Sequence, residues 1–290
     1  MHSVSTISPT IDTEQVVKRI RDLPSMPAVM VALLASTEQD DIDSRVLAGK
    51  IALDPALTAK TLRLANSSFY GMPTQVASIQ QAVFVLGIHN IRTLVAVCSV
   101  IDSFASARES SFKFTQFWRH SIATAVCAKA LARQTGQDLD TAFTAGLLYD
   151  IGTLVLATHF PVQYEKIMAY RKQHDCHMLD AEHAVFGIGH VLVGSVLAAY
   201  WKFPLTIQTA LAGHHQYTNQ AVTMPPTLAM TIHLANTLAH ALNLTGDEGD
   251  QAPTISQQAW RAIGLSDEVC NVVFQETEQG FDEMCQILLN

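Results

Sequence analysis

Charge is scarce in this chain, and positive charge is scarcer still. Only 15% of its 290 residues are charged, 18 lysines and arginines stand against 26 acids, and the formal net charge is −8. A field of that sign repels phosphate backbones, so nucleic acid is not an expected partner. The densest basic cluster, Lys18, Arg19 and Arg21, lies among Asp12, Glu14 and Asp22 and reads as a solvated helix face. Long apolar runs are lacking as well: residues 93–101 and 191–201 are bounded by Arg92, Asp102, His190 and Lys202. Both fall short of the ~18 residues a membrane span needs, so no membrane insertion is expected. Asp12 and Glu14 interrupt the opening segment, and no secretory leader is expected there. The five cysteines, Cys98, Cys127, Cys176, Cys270 and Cys285, form no CxxC pair and leave one over. That usage suits a reducing compartment, and a cytoplasmic location follows. No GxSxG, P-loop or GxGxxG occurs, and no cysteine sits beside an evident base, which removes the common nucleophile and nucleotide signatures. No segment alternates apolar and polar residues over a strand's length, so a sheet has nothing to be built from.

What is present is apolar helix. Hydrophobic residues make up 49% of the chain, enough to bury one large domain or two packed helical subdomains. The spacing predicts short helices over 14–21 and 28–35, another after Asp43, and one opened by Asp54 with Pro55 at its first position. Ser78 caps a helix that Gly87 ends, and a further helix spans 88–104. Longer helices follow over 114–134, 140–148, 151–158, 162–173, 179–186, 191–200, from Pro204, and over 227–242, with Gly136 and Gly187 as C-terminal caps. Residues 245–254 read as a linker, and 256–263 with 267–289 as a closing hairpin. The fold class is all-α, in four parts: an N-terminal helix (1–22), a subdomain of short helices (23–110), a second helical subdomain (111–244), and the linker with its hairpin (245–290).

Twelve histidines are many for this length. His120, His190, the adjacent pair His214 and His215, and His233 fall on apolar helix faces, where imidazoles from different helices can converge on a metal. Neighbours on a helix point about 100° apart, so a pair can serve two positions around one centre. His89, His159, His174, His177, His183 and His240 read as ordinary surface or satisfied residues.

The run Gly146-Leu147-Leu148-Tyr149-Asp150-Ile151-Gly152 resembles the Gly-Leu-Leu-His-Asp-Ile-Gly signature of the HD superfamily of metal-dependent phosphohydrolases. Asp54-Pro55-Ala56-Leu57, Leu62-Arg63-Leu64-Ala65-Asn66-Ser67, Tyr70-Gly71-Met72-Pro73 and Ser78-Ile79-Gln80-Gln81-Ala82-Val83 are similar to the HDOD branch, in its order. The later landmarks Trp118-Arg119-His120, Gly189-His190 and Gly213-His214-His215 extend the resemblance to about residue 242. It implies an HD-like helical bundle preceded by the short-helix subdomain, and a role in signal transduction.

Carried over residue by residue, the superfamily's metal ligands fall on His120, the Tyr149-Asp150 doublet, His190, His214, His215 and Asn236. Two are altered. A tyrosine with a reference pKa near ~10 offers a metal little at neutral pH, and Asn lacks the charge of Asp. The resemblance thus implies a vestigial position at His120 and a single residual site at Asp150, His190, His214 and His215, with either no cofactor or one ion of Fe, Zn, Mn or Ni. Thr153 stands where relatives often carry a lysine. Three functions stay open: a noncatalytic regulatory module binding a signalling protein or small-molecule signal, a metal-dependent phosphohydrolase acting on a nucleotide or cyclic dinucleotide, and a structural scaffold. Asn66, Ser67, Tyr70 and Gly71 are the expected border of a ligand groove between the two halves.

Overall fold

The computed structural model describes residues 16–18, 20, 44–67, 75–104, 112–216, 225–244 and 253–289. The expected helix over 28–35, most of the linker, and the turn residues Tyr70 and Gly71 lie outside the described residues. Within them the chain is helical, with no strand. The front helices are α1 (Ser44–Ala52), α2 (Pro55–Ala65) and α3 (Ile79–Ser103). The rear begins with α4 (Phe114–Thr135), α5 (Leu139–Leu148), α6 (Ile151–His159) and α7 (Pro161–His174), and continues through α8 (Met178–Phe186), α9 (His190–Tyr200), α10 (Leu205–Gly213) and α11 (Leu228–Leu242). Helices α12 (Gln257–Ile263) and α13 (Asp267–Leu289) close the chain.

Local chemistry sets these boundaries. The Asp54 carboxylate accepts from the Ala56 and Leu57 amides at 2.9 and 3.0 Å, satisfying two of the donors a helix start leaves unpaired. Gly87 takes φ +72, a left-handed conformation, and kinks α3 into its two expected pieces. Asp138 caps α5, accepting from Thr141 N at 2.7 Å, so the helix starts at Leu139, one residue before the expected 140.

Helix α4 is the axis. Trp118 and every residue from Ser121 to Ala132 are buried, because α5, α11 and α13 all pack on it. Small residues allow the close approach: a Cβ on Gly146 would stand 2.8 Å from Ala125 Cα. Helices α6 and α9 touch as tightly, since a Cβ on Gly152 would strike the His190 carbonyl oxygen and stand 2.7 Å from Gly194 N. These contacts place α5 on α4 and α6 on α9, while α10 packs against α5, α9 and α11.

One apolar core joins front and rear, running from Val16 and Ile20 to Ile287 and Leu288. Lys60 Nζ donates to Leu288 O at 2.8 Å and Arg63 donates to Gln286 O at 3.2 Å. Cations from α2 thereby meet the negative end of α13, where carbonyls lack helical partners. The stretch Leu139–His159, whose length and mean hydropathy of 1.3 would allow it to cross a membrane, is 78% buried inside the bundle and is turned at Tyr149 and Asp150. It is a core segment by its packing.

Gly49 contrasts with the tightly packed glycines. It is exposed within α1, and nothing lies within 4 Å of an added Cβ. Gly49→Ala is expected to stabilise the protein by about 0.5–1 kcal/mol, because glycine loses more backbone entropy in a helix. A urea midpoint at or below that of the unsubstituted chain contradicts this.

Candidate metal centre

Three of the predicted ligands do converge. His190 at the start of α9, and His214 and His215 at the end of α10, place one ring nitrogen each within 4.8 Å of one another. His190 and His214 are buried and His215 half-buried. Asp150, at the turn from α5 to α6, lies beside them with Oδ1 3.5 Å from His190 Nε2. The Thr153 hydroxyl donates to that same oxygen at 2.7 Å, so the residue standing in for the usual lysine orients the aspartate.

Hydrogen bonds fix which nitrogens face inward. Carbonyl and carboxylate oxygens only accept, so the His214 Nδ1–H donates to Leu211 O at 2.6 Å and the His190 Nδ1–H donates to Glu182 Oε2 at 2.7 Å. Both rings therefore turn Nε2 toward the cluster. His214 Nε2 is fully buried and has no partner among the described residues. An orphaned lone pair beside two further imidazoles and a carboxylate fits one transition metal ion, and the nitrogen-rich set suits Zn, Fe, Mn or Ni.

The other predicted position is arranged differently. Asn236 Oδ1 accepts from His120 Nε2 at 2.7 Å and from the Tyr149 hydroxyl at 3.1 Å. The donors that a second ion would use are spent on one another. His240 lies against His120, with ring centroids 4.2 Å apart.

His233 takes a bracing role. Its Nδ1–H donates to His214 O at 3.0 Å, and its Nε2 accepts from Ser256 N at 3.3 Å. It ties α11 to the His214 turn and to the segment entering α12. Sequence reasoning missed Glu182 altogether, although its place was readable: positions three and four away on α8 are Met178, Leu179, Val185 and Phe186. An acid on that apolar face is buried by its own periodicity.

Electrostatics separates the histidines. Burial works against a charged His190, but the carboxylates of Glu182 and then Asp150 outweigh it and hold the ring at about 9. Burial, with His215 beside it, pushes His214 down, and burial with His190 nearby takes His215 to about 3. In metal-free protein the raised value of His190 stabilises the fold fully below pH 6.5, its ordinary value, and the gain is lost as pH rises through about 9. The depressed pair acts in the other window, costing stability as pH falls below 6.5. Denaturation of stripped protein should therefore show a loss on the order of 3 kcal/mol between pH 6.5 and 9. A flat profile over that interval contradicts the His190 assignment.

At the expected groove, Asn66 binds Val76 through both its amide groups, at 2.7 and 2.9 Å, and the Ser67 hydroxyl donates to Leu64 O at 2.7 Å. Their polar groups are held by backbone at the end of α2 and just before α3. A cavity of about 1020 Å³ does open between α2, α3, α4 and α13, but its lining includes Lys60, Phe104, Trp118 and Arg119 and neither Asn66 nor Ser67. Two of its cations already serve carbonyls, Lys60 at Leu288 and Arg119 at Leu244.

Comparisons with known proteins agree with this architecture. The HDOD domain family profile matches residues 23–217. An uncharacterised protein of Treponema pallidum is 26% identical over 225 residues, which cover 75% of this chain and 42% of that protein, so the chain spans less than half of that relative. A Shewanella amazonensis structure provisionally described as a phosphohydrolase superposes with a TM-score of 0.72 at 22% identity, covering 94% of this chain and 97% of the other. A Marinobacter aquaeolei structure provisionally described as a signal transduction protein also gives 0.72, at 21% identity, covering 96% of this chain and 65% of that one. At such identities these structures share the fold. A profile match over most of the chain, on an all-helical bundle, makes this chain a member of the HDOD family.

Proposed function

We propose that this protein is a noncatalytic regulatory module that binds a signalling protein or small-molecule signal. It holds at most one transition metal ion, at His190, His214 and His215 with Asp150. One observation carries the reading: Asn236 Oδ1 accepts from both His120 and Tyr149, so the second ion's donors are satisfied without an ion. Phosphoester cleavage by the two-metal route uses both ions to steady the attacking and leaving oxygens. With one position closed by hydrogen bonds, that route has no second ion to draw on. The description of the Marinobacter structural neighbour is in keeping with a signalling role. Buried free cysteines at Cys127, Cys270 and Cys285 suit the reducing, cytoplasmic setting proposed for it.

The retained histidine cluster favours one competing reading, a single-metal phosphohydrolase acting on a nucleotide or cyclic dinucleotide. Assays on cyclic dinucleotides, guanosine tetraphosphate and a model phosphodiester, with Mn or Fe supplied, separate the two. The regulatory reading expects no turnover above that of an Asp150→Ala variant. Turnover that disappears in Asp150→Ala overturns it in favour of the hydrolase.

A further inference from the structure

Glu182 has no exposed surface, yet it is an acid. One of its oxygens, Oε2, accepts from His190 twice, from the ring Nδ1–H at 2.7 Å and from the backbone N–H at 2.8 Å. The other, Oε1, is buried with no partner among the described residues. A carboxylate taken out of water at this cost is stabilised only by positive charge close by. The imidazole of His190 stands between this carboxylate and the cluster, because its far nitrogen faces His214 and His215.

The surroundings leave His190 little freedom. The Gly152 contact holds its carbonyl on one side, and Gly189 sits so close to α8 that an added Cβ would stand 3.1 Å from Glu182 Oε2. Ring, amide and carbonyl of one residue are thus each held by a different contact. A histidine kept only for packing does not require a buried acid bonded to both its ring and its backbone.

We propose that Glu182 is a positioning residue for a metal ion bound at His190, fixing the imidazole as the Nδ1–H form, aiming Nε2 at the cluster and strengthening that nitrogen as a donor. This rests on the single-metal reading above. The carboxylate draws on the Nδ1 proton, electron density at Nε2 rises, and the ring loses no orientational freedom when the ion arrives.

The test uses the full chain and Co(II) as the probe, with affinity followed by visible absorption and the ring N–H protons by paramagnetic NMR. Glu182→Gln keeps the shape and one carbonyl acceptor but removes the charge, and Glu182→Ala removes both. The expected result is Co(II) binding weakened by about 10- to 100-fold in Glu182→Ala, with a smaller loss in Glu182→Gln. The slowly exchanging, shifted His190 N–H signal of the loaded protein should vanish in Glu182→Ala. Circular dichroism checks folding, and if Glu182→Ala does not fold, Glu182→Gln carries the comparison through its affinity and the shift of the same signal. Folded variants that bind Co(II) like the unsubstituted chain overturn the positioning role and leave the single-metal reading standing. Weakened affinity with an unchanged N–H signal also overturns it, since the loss then comes from packing. An unsubstituted chain that binds no Co(II) overturns the single-metal reading itself, and the positioning role with it.

Discussion

Gly152→Ala is expected to cost roughly 3 kcal/mol or more, the upper range for forcing extra volume into a packed core, and to lower Tm by about 10 °C in a chain of this size. The new Cβ would meet backbone, not a pliable side chain: the His190 carbonyl oxygen, its carbon at 2.8 Å and Gly194 N at 2.7 Å. Helices α6 and α9 must then move apart, and with them Asp150 from His190. Gly194→Ala is the internal control, because its added Cβ has nothing nearer than Gly152 N at 3.2 Å, a gap that a small shift relieves. Its cost should be clearly the smaller of the two. Thermal unfolding of both variants decides the matter, and equal midpoints would show that the α6–α9 approach does not position the site.

His190→Leu should be as damaging for a different reason. It leaves Glu182 buried with neither its ring partner nor a nearby positive charge, a situation that costs about 3–5 kcal/mol in other buried pairs. Adding Glu182→Leu removes the stranded carboxylate, so the double variant should recover most of the loss while still binding no metal. The half-buried His215 makes no such pair, and His215→Ala should cost well under half as much. Urea midpoints for the single and double variants form a mutant cycle. A double variant no more stable than His190→Leu would mean that Glu182 and His190 are not energetically coupled.

Much of the fold was legible because its signals are local. Asp54 with Pro55, Gly87, Gly136 and Gly187 each act on their own turn of helix, and the structure uses them as the sequence implied. The start of α5 was read one residue late, at 140 instead of Leu139, because the Asp138 cap shows itself only in the folded turn, through its bond to Thr141 N. Ligand identities at the site could be carried over from the resemblance, including the altered Tyr149 and Asn236. What those alterations do could not: that Tyr149 and His120 share one oxygen of Asn236 depends on how closely α4, α5 and α11 pack, and hence on Gly146 and Ala125. Asn66 and Ser67 illustrate a related limit. Polar residues after a helix resemble ligand contacts in a sequence, and here those groups bond to the backbone of Val76 and Leu64. Glu182 was legible in principle, as an acid on the apolar stripe of α8, but a search for metal ligands does not look for the residue behind the ligand.

Counting transition-metal ions per chain, in protein purified without added metal and again after exposure to excess Mn or Fe, tests the central claim most directly. The account predicts no more than one tightly bound ion under either condition, and none in His214→Ala. Two tightly bound ions per chain, one of them contacting His120, would contradict it.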